Sequence, residues 1–175
     1  MARIIYKEGF EGQNELESIE GIEISFAIGR KTLIYPKYAR LAMIDNLNMF
    51  LEWESEEESI KQAYASDGDA ENEELYRINS PAALFVSKFV TYKYGARDLP
   101  TLSVARDIIR KWKEIDEMAS RIKGADLLRD RYDDNIMTCQ RAENNRYYAV
   151  NLKNRNVVEP EVFESNLCIP CVLDY

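Results

Sequence analysis

The 175-residue chain contains no histidine. That absence excludes the Ser-His-Asp and Cys-His catalytic arrangements, which need an imidazole as general base. It also excludes histidine-ligated zinc, HExxH proteases and a histidine pH switch. Glycines are few, seven in all, and none falls into a GxGxxG or GxxxxGK[ST] pattern, so the ordinary nucleotide cradles are missing. No GxSxG elbow is present. No apolar run approaches the ~18 residues of a membrane helix. The N-terminal Met1-Ala2-Arg3-Ile4-Ile5-Tyr6 lacks the apolar core and small-residue cleavage site of a signal peptide. With only three cysteines, an odd number, the expectation is a cytoplasmic protein with reduced thiols.

What is present describes a globular chain. It is 46% hydrophobic and 31% charged, with 11 tyrosines. A length of 175 suits one compact domain that needs no disulfide or metal to hold it. Net charge is −8, which argues against general binding to a phosphate backbone.

Residues 2–7 alternate weakly, and Ile22, Ile24, Phe26 and Ile28 share one strand face. Gly29-Arg30 then turns into Lys31-Thr32-Leu33-Ile34-Tyr35, which predicts a three-stranded antiparallel start. From about Tyr38 to Tyr64 the spacing of Met43, Leu47, Phe50 and Leu51 predicts a helix. Ser80 and Pro81 read as the cap and first position of a second helix, running to about Tyr94 and stopped by Gly95. Residues 102–122 carry the strongest helical period, with Leu102, Ala105, Ile108, Ile109, Trp112, Ile115, Ala119 and Ile122 on one face. That face suits a core seam or a homodimer contact between two copies of the helix. Leu127, Leu128, Tyr132, Ile136 and Cys139 predict a further helix over 125–142. Residues 147–152, 157–158 and 168–173 read as strands, with Pro170 placing the last at a sheet edge. The expected fold is a single α+β domain over 1–175. A small N-terminal antiparallel sheet packs against a bundle of three to four helices, and C-terminal strands return to the sheet.

Charge is unevenly spread. Residues 52–74 hold ten Asp or Glu and one Lys, whereas residues 80–146 hold 13 cations and 10 anions. Within the acidic stretch, residues 66–75 compose a mobile loop with few apolar anchors. An EF-hand reading started at Asp67 fails, because loop position six is Asn72 and position twelve is Ile78. Cys168-x-x-Cys171 has disulfide or metal spacing, but only Cys139 remains as a further thiol and there is no histidine to complete a zinc site. Asp130, Asp133 and Asp134 at helical spacing are flanked by Arg129 and Arg131, which makes a salt-bridged face the simplest reading. Glu20, Glu23 and Lys31 form a second weak set, with Glu23 expected at the surface.

The functional expectation is a non-enzymatic binding protein that docks its anions on a basic surface of a partner protein. The docking residues are Glu52, Trp53, Glu54, Glu56, Glu57, Glu58, Asp67, Asp69, Glu71, Glu73 and Glu74. In its sharpest form the anions stand in for a nucleic-acid backbone and occupy a nucleic-acid-binding or defence protein, as small acidic inhibitors of phages and mobile elements do. No catalytic residue, metal or cofactor is expected, and no direct contact with nucleic acid or membrane. One alternative is a nuclease-like hydrolase in which Asp130 or Asp134 converges with Glu23 on a divalent metal. Another is a structural subunit assembled through the 102–122 helix.

Overall fold

The computed structural model describes residues 1–25, 29–44, 80–142 and 146–173. Nine strands and three α-helices lie among them. The strands are β1 (Ala2–Tyr6), β2 (Ile19–Ser25), β3 (Lys31–Ile34), β4 (Ala39–Leu41), β5 (Asn135–Arg141), β6 (Tyr147–Asn151), β7 (Val157–Val158), β8 (Asn166–Cys168) and β9 (Cys171–Leu173). The helices are α1 (Pro81–Ser87), α2 (Leu102–Arg110) and α3 (Trp112–Ala119).

The strands form two sheets. One is antiparallel in the order β1-β2-β3-β9, and the other has the order β4-β8-β5-β6-β7 with one parallel neighbour pair, β5 with β8. The α+β class holds, but the expected helix bundle is overturned: two sheets dominate the described residues and the helices cover them. The three-stranded antiparallel start forms, with Ile4 opposite Ile22 and Ile22 opposite Ile34, but Ser25 pairs with Lys31, a register that the expected two-residue turn at Gly29-Arg30 would not give. The last strand does return to it, pairing Leu33 with Val172 at the sheet edge. Phe26 and Ile28 lie outside the described residues.

The helix expectations are corrected where they fall on described residues, each with a physical cause; residues 45–64 of the expected 38–64 helix lie outside the described residues. Residues 39–41 are strand β4, paired with β8, so the region from Tyr38 opens extended. Residues 125–142 contain a single 3-10 turn (Leu128–Arg131) followed by β5. Both faces of β5 are buried, so its run of apolar residues lost the alternation that identifies a strand and mimicked a helical stripe. Helix α1 starts where expected, with Ser80 accepting from the Ala83 N–H at 3.3 Å, but it ends at Ser87. Gly95 instead closes a tight loop in which the Thr91 N–H donates to the Gly95 carbonyl at 2.8 Å.

The long 102–122 helix is broken at Lys111, whose φ of −106° and ψ of 12° leave the helical region. The break has a packing reason. Helix α2 lies on β5 and β6 of the five-stranded sheet, whereas α3 lies on β1 and β2 of the four-stranded one. A straight helix cannot follow both surfaces. The apolar face is spent on the core of its own chain: Ala105, Ile108 and Ile115 are fully buried.

Two cores result. The larger contains Ile22, Ile24, Ile34, Ile108, Ile136, Val150 and Leu167, between the sheets and the α2–α3 pair. The smaller contains Met43, Ala83, Val86, Met137, Cys139, Tyr147 and Cys168, beneath α1. Consecutive residues of one strand, Ile136 and Met137 or Leu167 and Cys168, go to opposite cores, as the two-residue strand period requires.

The pairing of β1 with β2 carries a β-bulge. Tyr6 pairs with Ile19 and Ile5 with Gly21, which leaves Glu20 as the extra residue. Gly21 makes the bulge feasible. Its φ is +152°, and a Cβ there would lie 2.6 Å from the Ile34 carbonyl oxygen.

Gly21→Ala combines backbone strain with a steric clash and is expected to cost about 3 kcal/mol. Leu167→Ala, at a fully buried position facing the larger core, is expected to cost a similar amount, about 3 kcal/mol. Urea unfolding midpoints of the two variants check both values.

Candidate functional site

All eleven docking residues, Glu52 to Glu74, lie outside the described residues. The body does define where that stretch begins and ends. The Ile44 N–H donates to the Val162 carbonyl at 2.8 Å, and the Ala82 N–H donates to the Ala42 carbonyl at 3.1 Å. Met43, Ile44 and Ala82 are fully buried in the smaller core. Ala42 and Ala82, described residues on either side of 45–79, are therefore in contact.

The carboxylates expected for a hydrolase are held elsewhere. Asp134 lies 3.4 Å from Arg40, and Asp133 lies 4.0 Å from Lys153. Asp130 belongs to the 3-10 turn rather than to a helix. Glu23 is 3% exposed and pairs with Arg3 at 2.7 Å, which corrects its expected surface position. Among the described residues no three Cys, Asp or Glu side chains come together as metal ligands.

Cys168 and Cys171 also part company. Cys168 belongs to β8 and the smaller core, whereas Cys171 belongs to β9 and the larger core. The chain crosses between sheets at Ile169-Pro170, so the pair spans two layers instead of converging. Burial pushes the Cys168 thiol up to about 12, with only partial relief from the Leu41 backbone. Burial likewise raises the Cys171 thiol well above its ordinary range, against the pull of Arg97. Neither thiol has the lowered pKa that redox chemistry requires.

A different group converges around one member of the second weak set, Glu20, without Glu23 or Lys31. Arg97 is 2% exposed, and one Nη donates to the Glu20 carbonyl oxygen. Its Nε and other Nη have no hydrogen-bond partner, and neither does Oε2 of Glu20, which is 4% exposed. The guanidinium lies 4.9 Å from the Tyr35 ring centroid, and Tyr35 in turn stacks on Phe89 at 4.9 Å. Burial lowers the Arg97 pKa to about 10, offset by Cys171, Glu20 and Tyr35, so the group stays cationic at neutral pH. Burial raises the Tyr35 pKa, with Arg97 pulling the other way.

Arg97 and Glu20 line a cavity of about 170 Å³ together with Lys7, Tyr35, Lys88 and Phe89. This cavity shares Lys7, Glu20 and Val90 with a wider cleft of about 580 Å³, lined also by Phe10, Thr91 and Tyr92. The cleft has the size of a small-molecule site. Three local devices shape it. The bulge sets Glu20, the Gly95-closed loop sets Thr91 and Tyr92, and backbone bonds exchanged between Asp98 and Cys171 at 2.8 Å set the segment carrying Arg97. A sequence signal existed for one member only: Glu20 is a carboxylate within a run that is otherwise isoleucine and glycine from Ile19 to Ile22. Arg97, in Gly95-Ala96-Arg97-Asp98, reads as an ordinary exposed loop residue.

No helix among the described residues is long and apolar enough to cross a membrane. Compared with protein-family models, with curated proteins and with solved structures, the chain matches none.

Thiol labelling checks the cysteine placement. Cys168 and Cys171 are expected to resist a thiol reagent at pH 8 in the native protein and to react at once in denaturant. Rapid native modification of either would contradict their burial.

Proposed function

We propose that this is a non-enzymatic docking protein whose acidic stretch, residues 52–74, engages a basic surface of a partner protein. The observation that carries the reading is the concentration of ten Asp or Glu residues against one Lys in that stretch. Such a density of one sign has a long-range attraction for a cationic surface and repels nucleic acid. What supports the reading on the body is that Ala42 and Ala82, on either side of residues 45–79, are joined by a hydrogen bond. The remainder of the chain suits a scaffold, since residues 80–146 carry 13 cations and 10 anions, with Arg110–Asp107, Lys111–Glu114 and Arg121–Glu117 paired along the helices and just beyond them.

The partner surface that fits best is one built for nucleic acid, because a row of carboxylates presents the charge that phosphates present. The docking protein would then act as a competitor for that surface.

The test replaces Glu54, Glu56, Glu57, Glu58, Asp67 and Asp69 with Gln or Asn, and measures affinity for the basic partner captured by the unaltered chain. The expected result is at least a tenfold loss of affinity, a steep weakening with added salt, competition by duplex DNA or RNA, and an unchanged unfolding midpoint. Unchanged partner affinity in the neutral variant overturns acidic docking. Persistent capture in the presence of excess nucleic acid overturns the competitor form.

A further inference from the structure

We infer that the cleft between the β1–β2 bulge and the loop after α1 is a binding site for a free α-amino acid with an apolar or aromatic side chain. The inference is independent of the acidic stretch.

Its first support is a pair of buried opposite charges that do not satisfy each other. Arg97 and Glu20 line one cavity, yet the guanidinium reaches only the Glu20 backbone carbonyl. Two of its nitrogens and Oε2 of Glu20 have no hydrogen-bond partner. Burying a charge without a partner is costly, and the natural remedy is a direct ion pair. Here both side chains line one cavity, and the unpaired guanidinium nitrogens and the unpaired carboxylate oxygen make no direct bond to each other. A ligand that carries both an anion and a cation satisfies both groups at once. The shortest common group with that property is an α-amino acid head, whose carboxylate meets Arg97 and whose ammonium meets Glu20.

The second support is the path out of the cavity. The wider cleft is lined by Phe10, Val90 and Tyr92, which are 42%, 62% and 92% exposed. These are among the few large apolar side chains the described surface leaves open, and they gather at one mouth. They provide an apolar lip beside a polar floor, the arrangement small-molecule sites use. An amino-acid side chain extending from the head group would rest on this lip. Lys7, which lines both cavity and cleft, and Lys88, which lines the cavity, add further cations to the site.

The third support is preorganisation. Tyr35 stacks against both Arg97 and Phe89, which holds the guanidinium plane without using its N–H groups. The bulge at Glu20 spends a glycine at φ +152° to place one carboxylate. Bulges commonly re-aim a side chain beside a functional site.

Isothermal titration of the full chain with L-phenylalanine tests the site directly. Its comparison compounds are 3-phenylpropanoate, which lacks the ammonium, phenethylamine, which lacks the carboxylate, and glycine, which lacks the ring. The expected result is saturable one-to-one binding of L-phenylalanine, with each comparison compound at least tenfold weaker. Tyr92→Ala, at a position too exposed to support the fold, is expected to weaken L-phenylalanine several-fold and leave glycine unchanged. Glu20→Gln is expected to abolish the preference for L-phenylalanine over 3-phenylpropanoate. Absence of saturable binding by L-phenylalanine, L-leucine and L-tryptophan at millimolar concentration overturns the proposal. Equal binding of 3-phenylpropanoate reduces the site to a simple carboxylate receptor and overturns the zwitterion reading. Equal binding of glycine, or an unaffected Tyr92→Ala variant, overturns the role of the apolar lip.

Discussion

The segment Asn166–Leu173 belongs to both sheets, and most of the described architecture depends on it. Strand β8 pairs with β4 on one side and β5 on the other, so it fills an inner position of the five-stranded sheet. After Ile169-Pro170 the same chain becomes β9 and completes the four-stranded sheet beside β3. The Tyr35 N–H donates to the Pro170 carbonyl at 2.9 Å, so even the crossing point is tied to the N-terminal strands. Leu167, Cys168 and Ile169 are fully buried. A tight crossover between layers leaves no slack, which is why proline is tolerated there: its missing N–H falls between two ladders rather than within one.

The same staple positions the cleft. Cys171 and Asp98 exchange backbone hydrogen bonds, and Arg97 is the next residue. From there the guanidinium reaches across to the Glu20 carbonyl on β2 and lies against Tyr35 just after β3. Arg97 thus joins a loop, a bulge and a strand end that are far apart in the chain. Buried ionic groups seldom improve on apolar packing for stability. Arg97 and Glu20 are both buried and only partly satisfied, which is the feature the proposed ligand would use.

The two halves of the 102–122 region show how packing overrides a strong local pattern. Its period is right and its faces are right, yet Lys111 leaves the helix so that α2 and α3 can each seat on a different sheet. Asp116 on α3 then does a task that no period reveals. It is 7% exposed and accepts the Leu128 and Arg129 N–H groups at 2.7 and 3.0 Å, capping the 3-10 turn before β5. Burial raises its pKa, and the two N–H donors pull it back.

The sequence by itself determined the exclusion of imidazole chemistry, the β1–β3 start, the Ser80 and Pro81 helix cap, the strand at Tyr147–Asn151 and the acidic polarity of residues 52–74. These features are local: alternation, capping and composition act within a few residues of themselves. Only the tertiary structure decided that residues 135–141 are a strand, that the long helix divides, and that Cys168 and Cys171 face different cores. Strand β5 is buried on both faces and so carries no alternation, and the pairing that makes it a strand comes from residues 147–151 and 167. The Arg97–Glu20 cleft was illegible for the same reason. Its charges are 77 residues apart, and a bulge and a sheet crossover bring them together; Gly21 and Pro170 permit these features but do not specify which distant residue they place nearby.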